Sequence, residues 1–221
     1  MKKIGTVFYG INIIGMVLYL LVCGGAMVTG HPIYPGQATL LAEVAAGIIL
    51  ASLPRLIEHF AQVELPPLLV ALYEVFILMA ILLGSGMQAY SIPYWDKYEH
   101  LFSAAMLAGI GFMIYAARTP DDKIMQIDPL LISLFGTAFG TMLGVFWEFY
   151  EFTGDSLLGM NMQRFMAHGH PLVGHPVLYD TMGDLAMDVL GSALLGIYCY
   201  FAMRKNPAWL KTFMLRKRKR N

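Results

Sequence analysis

The sequence predicts an all-α polytopic membrane protein, a helical bundle of about six transmembrane helices with both termini cytoplasmic. Three observations carry that prediction. Of 221 residues, 57% are hydrophobic and only 14% charged. Mean hydropathy is +0.60, too apolar for a soluble domain of this length. Six apolar runs each approach the roughly 20 residues that cross a bilayer. The basic residues, finally, are strongly segregated along the chain.

The runs lie at 4–29, 37–53, 66–86, 98–117, 129–152 and 183–203. Lys2 and Lys3 precede the first like the start of a signal peptide, but the run is too long and Ala26 lacks a small-x-small cleavage setting. Leu20-Leu21-Val22-Cys23 has Val where a lipoprotein signal takes Gly or Ala, so the run is read as an uncleaved span. The loop His31–Gly36 is rich in breakers and expected outside. The second run is short at its clean core, which suits tilt or partial re-entry. A loop around Arg55, Glu58, His59 and Glu64 then leads to Pro66-Pro67, a helix start. Glu74, alone in the third run, reads as a hydrogen-bonded structural group rather than a catalyst. Tyr90–Trp95 is an aromatic interfacial stretch at the outer end of the fourth run. In the fifth, Gly136, Gly140 and Gly144 form a small-xxx-small row for close helix packing. Cys23 and Cys199 lie in distant apolar runs and read as buried thiols, not a disulfide.

Orientation follows from charge. With both termini inside, 13 of the 15 Lys and Arg are cytoplasmic, leaving Lys97 and Arg164 outside, as the positive-inside rule requires. One membrane domain covers 1–203, with its motif-bearing core at 96–203, and a basic tail covers 204–221. That tail carries Trp209, Phe213 and Met214 among eight basic residues, a pattern for anchoring to anionic inner-leaflet lipids. No recognition motif accompanies the charge, so nucleic acid is not an expected partner.

With this topology the acids sort themselves. Asp96, Glu99, Glu148, Glu151, Asp155, Asp180, Asp184 and Asp188 all fall at the outer ends of the last three runs, together with His100. Asp96 and His100 are four apart; Glu148, Glu151 and Asp155 line one helix side; Asp180, Asp184 and Asp188 share another. So many carboxylates cannot all stay ionised side by side unless protons are shared or a cation binds. Oxygen-rich sets suit Mg²⁺, Ca²⁺ or Mn²⁺, and an added His favours Mn²⁺ or Zn²⁺. The candidate metal ligands are Asp96, His100, Glu148, Asp184 and Asp188, with Glu151 as candidate base and Lys97 or Arg164 meeting an anionic headgroup. The plainer alternative makes Asp96 and Lys97 an interfacial ion pair, Asp180 a helix cap, and Asp184, Glu151 and Asp155 solvated groups. A loop of Met160, Met162, Met166, His168, His170 and, further on, His175 mixes ligands suited to copper.

Asp96-Lys97-x-x-His100, then Glu148 with Glu151, then Asp184-x-x-x-Asp188-x-x-Gly191 resembles the pattern of the YjdF-like family of bacterial inner-membrane proteins. More distantly it is similar to VanZ-like proteins. The resemblance covers roughly 96–200 and implies a helical bundle in the bacterial inner membrane. VanZ-like relatives are linked to glycopeptide-antibiotic tolerance. They usually carry Glu-x-x-Gln and Asp-x-x-x-Asn, whereas this chain has Glu151 and Asp188 at the amide positions, which makes its site more acidic.

Three functional readings follow. The first is a metal-dependent hydrolase or transferase (Mg, Mn or Zn) acting on a lipid-linked phosphate or ester. The second is a non-catalytic cation or proton carrier or sensor. The third is a structural membrane subunit.

Overall fold

A computed structural model describes residues 1–217; the expected tail cations Arg218, Lys219 and Arg220 lie outside the described residues. Six helices are long and apolar enough to cross a membrane. They are α1 (Lys2–Val28), α2 (Gln37–Phe60), α3 (Pro67–Ile77, continued by a π-helical stretch over Leu78–Gly86), α4 (Trp95–Arg118), α5 (Pro129–Leu158) and α6 (Tyr179–Lys205). Among the described residues there are also four short 3₁₀ turns (Ala89–Ser91, Asp121–Gln126, His175–Leu178 and Pro207–Phe213) and two short antiparallel pairs, β1 (Val63–Glu64) with β4 (Arg216–Lys217) and β2 (Met166–Ala167) with β3 (His170–Pro171).

Three helices run further than their apolar runs. The second was expected to end at 53, but α2 passes through Pro54 to Phe60, so Arg55, Glu58 and His59 sit on helix rather than in a loop. Proline removes the hydrogen bond to the carbonyl four residues earlier. That carbonyl belongs to Leu50, and it accepts instead from the Tyr73 hydroxyl of α3 at 2.9 Å. α5 continues to Leu158 and stops at Gly159, whose φ of +64° suits a left-handed helix terminus. α6 starts at Tyr179 after a turn at His175–Leu178, so Asp180 lies inside the first helical turn and is not its cap.

The helices group into two compact units, Met1–Trp95 with the chain from Thr212, and Asp96–Lys211. In the first, Met16, Val44, Ala51, Ile77 and Leu82 form the apolar core beside Tyr19 and Cys23. One polar group from each of three helices meets within it. Glu74 is fully buried; Arg55 Nη1 donates to its Oε1 at 2.7 Å, and Asn12 Nδ2 donates to its Oε2 at 3.0 Å and to its carbonyl at 2.9 Å. Glu74 is therefore the hydrogen-bonded structural group its isolated position predicts.

The second unit packs α4, α5 and α6 through glycines. A Cβ on Gly140 would stand 2.8 Å from the Ala104 carbonyl oxygen and 2.8 Å from the Ala108 nitrogen of α4. One on Gly191 of α6 would fall on the Leu101 carbonyl oxygen, and one on Gly144 would fall on the Asp188 carboxylate. Close approach of this kind replaces the missing hydrophobic drive between helices in lipid. Cys23 and Cys199 are buried and unbridged.

Gly191→Ala should lower the thermal stability of the detergent-purified protein, because backbone at Leu101 cannot give way and overpacking costs about 1–3 kcal/mol. Gly24→Ala, where a Cβ meets nothing within 4 Å, should hold or raise it, since Ala is a better helix former by about 1 kcal/mol. Melting curves of both variants check the contrast.

Candidate functional site

The site lies wholly in the second unit, where the start of α4, the end of α5 and the start of α6 come together. Helical spacing does the first part of the work. Residues four apart share a face, so Asp96 and His100 point off α4 together, as do Asp180, Asp184 and Asp188 off α6. On α5, Glu148, Glu151 and Asp155 turn inward and are all buried, against the alternative that Glu151 and Asp155 are solvated.

Lys97 is the centre of the ion-pair network. Its Nζ donates to Asp180 Oδ1 at 2.7 Å, Asp184 Oδ2 at 2.8 Å and the Asp180 carbonyl at 3.2 Å, with Asp96 Oδ2 at 3.4 Å. An ammonium has three protons, so these acceptors saturate it. Arg164 is held more loosely, Nη2 at 3.5 Å from Asp96 Oδ2 and Nε at 3.7 Å from Asp180 Oδ1, with 42% of its side chain exposed. Of the two cations, Arg164 is the one with donors to offer an incoming group.

His100 divides the acids by its two nitrogens. Nδ1 is 3.2 Å from Asp188 Oδ1, while Nε2 faces Asp184 Oδ1 at 3.7 Å and Asp96 Oδ1 at 4.0 Å. An ionised carboxylate can only accept. Nδ1 thus pairs with Asp188 while Nε2 stands towards the other two acids, a carboxylate–histidine arrangement of the kind that orients metal-binding imidazoles.

Asp96, His100 and Asp184 are the one group of His, Cys, Asp and Glu among the described residues with metal-ligand spacing, their donor atoms all within 4.8 Å of one another. Donors about 2.1 Å from one ion stand roughly 3.0 Å apart when adjacent and roughly 4.2 Å when opposite, so modest side-chain rotation closes this set around a cation. Four buried oxygens in the site have no hydrogen-bond partner: Glu148 Oε1, Asp180 Oδ2, Asp184 Oδ1 and Asp188 Oδ2. Unsatisfied buried acceptors are costly and call for protons, water or an ion. Of the five expected ligands, three thus converge, Asp188 stands behind the imidazole as its orienting group, and Glu148 contributes an unpartnered oxygen from α5. Glu151, the expected base, accepts from Trp147 Nε1 at 2.9 Å.

A strap between α5 and α6, which the spacing of acids did not reveal, completes the site. Asp155 accepts from the backbone N–H groups of Met162 (2.7 Å) and Gln163 (3.0 Å). This anchors the strap so that Gln163 Nε2 donates to Glu148 Oε2 (3.2 Å) and Thr181 Oγ1 (2.9 Å). Arg164 adopts φ +48°, a left-handed conformation uncommon outside glycine. No sequence signature marks Gln163 or Thr181; a polar residue within a methionine-rich loop was the one available cue. His168, His170 and His175 are exposed on the strap, and the sulfurs of Met160 and Met162 lie 3.4 and 3.3 Å from where a Gly154 Cβ would be.

These features define the class: a multi-pass helical membrane protein with a buried acidic and histidine-bearing site formed by three helix ends. The family described as "Predicted membrane protein (DUF2238)" matches residues 15–205, and the chain belongs to it. Neither the curated proteins nor the solved structures hold a match to the chain.

Removing the central cation should be severe. Lys97→Met leaves buried carboxylates unanswered and should cost on the order of 3–5 kcal/mol, read as a large fall in melting temperature. Adding Asp184→Asn to that variant should restore part of the loss; a double variant no more stable than the single one would show that the pair is not coupled.

Proposed function

We propose that this protein binds a divalent cation (Mg, Mn or Zn) in the acidic site and uses it as a hydrolase or transferase on a lipid-linked phosphate or ester. The observation that supports this best is the convergence of Asp96, His100 and Asp184, with an unpartnered Asp184 oxygen between them and the ring oriented by Asp188. Such an ion supplies Lewis-acid chemistry and a nucleophile from water at neutral pH. Asp188 orients His100, Glu148 offers a free oxygen as a proton acceptor in addition to Glu151, and Arg164 meets the anionic headgroup while Lys97 balances the acids around it.

Tight packing below the site favours a one-sided function over passage across the membrane. Gly144 meets Asp188, Gly140 meets α4 backbone, and Ser192 Oγ donates to the Ala104 carbonyl at 3.2 Å. A cation carrier would have to part these helices; a sensor would not. The proposal also includes both termini in the cytoplasm, the site on the outer side of a bacterial inner membrane, and the basic tail against anionic inner-leaflet lipids. The narrower likeness to YjdF-like proteins, and more distantly to VanZ-like ones, belongs to the same reading and rests on Asp96, Lys97, His100, Glu148, Glu151, Asp184, Asp188 and Gly191.

Metal analysis of the purified protein is the test. Wild type should carry close to one divalent ion per chain, and Asp184→Asn or His100→Gln should lose most of it while remaining folded. Turnover of a panel of phospholipids and lipid-linked pyrophosphates should fall with the metal. A folded wild type that neither retains nor takes up a divalent ion would defeat the proposal; metal without turnover would move it to sensing.

A further inference from the structure

A polar cavity lies in the first unit, between the N-terminal turn of α1, the last turns of α2, β1 and the start of α3. Its volume is about 440 Å³, within the range of roughly 300–1,000 Å³ usual for ligand pockets. Lys2, Arg55 and His59 supply its basic lining, and Glu58 and Glu64 its acidic lining. The cavity therefore presents both signs of charge beside apolar walls at Leu65 and Val70. It sits at the ends of three membrane-spanning helices, which is the depth of lipid headgroups.

Its polar groups are held in place. Arg55 is fixed by Glu74 at 2.7 Å and by the Tyr9 ring, 3.3 Å beneath the guanidinium. A guanidinium has five N–H donors in a fixed fork, so the Glu74 contact leaves others for a second anion on the cavity side. Glu58 Oε1 accepts from the Leu65 N–H at 2.9 Å, and Lys2 Nζ pairs with Glu64 at 2.9 Å. Behind the strand, β4 brings Arg216 and Lys217 level with Glu64 and Val63.

Charge complementarity selects the ligand. A purely anionic headgroup would gain from Arg55 and Lys2 but would meet Glu58 and Glu64 as like charges. An uncharged ligand would cover the Lys2–Glu64 pair and Glu58 without engaging either charge. A zwitterion answers both. We propose that this cavity binds the phosphoethanolamine headgroup of a membrane phospholipid, with the phosphodiester at Arg55 and Lys2 and the ammonium at Glu58 and Glu64. The glycerol and upper acyl chains then lie against Leu65 and Val70. This site is separate from the acidic cluster of the second unit and does not depend on its function.

The test uses the full chain purified in detergent, with native mass spectrometry and thermal melting in the presence of phosphatidylethanolamine, phosphatidylglycerol or inorganic phosphate. Phosphatidylethanolamine should be retained in preference to the other two and should raise the melting temperature. Lys2→Gln and Glu58→Gln should each weaken its retention on the order of tenfold, as loss of one charged hydrogen bond does. Both variants should fold, since Lys2 is 69% exposed in its side chain and Gln at 58 keeps an oxygen for the Leu65 N–H. Equal retention of phosphatidylglycerol, a shift with inorganic phosphate alone, or wild-type retention in both variants would each overturn the assignment.

Discussion

A carboxylate drawn out of water must be answered by a cation, a donor or a proton, and the second unit is built around that requirement. Eight acids gather at one end of α4, α5 and α6, facing two permanent cations and one imidazole. Lys97 is shared among three aspartates, Arg164 reaches two of them from the strap, and His100 faces Asp188 on one side and Asp184 and Asp96 on the other. Backbone and side-chain donors serve others: Asp155 takes two amides, Glu151 an indole, and Glu148 an amide side chain. Four oxygens are still left over, and buried acceptors without a donor call for a proton, a water or a cation.

Such a cluster needs helices that approach more closely than ordinary side chains allow. Asp188 fits only because Gly144 faces it, and the row continues through Gly140 against α4 and Gly191 against Leu101. Packing and chemistry are thus one construction. The glycines set the interaxial distance, and that distance brings acids from separate helices onto the same imidazole. The first unit handles its own buried acid differently, with a complete local answer. Glu74 receives Arg55 and Asn12, and no carboxylate oxygen of its own is left without a partner.

Much of this was legible beforehand because it follows from period and length. Apolar runs gave the six spans, and the spacing of four placed Asp180, Asp184 and Asp188 on one face. What was not legible depends on orientation at a distance. Whether Asp184 or Asp188 meets Nε2 is decided by the rotation of the His100 ring, which no spacing encodes. The plainer alternative makes Asp180 a cap because it stands near the head of an apolar run, yet the preceding turn starts the helix earlier and Asp180 meets Lys97 instead. Gln163 was invisible for a different reason: its position is set by backbone amides binding Asp155, and any residue type can supply an amide. The full length of α2 was hidden by Pro54 followed by Arg55, a pair that reads as the end of a helix unless a partner for the Leu50 carbonyl is foreseen.

That partner, the Tyr73 hydroxyl, has a consequence of its own. A peptide N–H is tied to the winding of its helix, whereas a phenol swings on a side chain and can release its acceptor without unwinding anything. The Tyr73 hydroxyl therefore joins α2 to α3 at the one turn where Pro54 leaves the backbone ladder of α2 open. The shape of α2 at this turn thus depends on a side chain of its neighbour as well as on its own backbone.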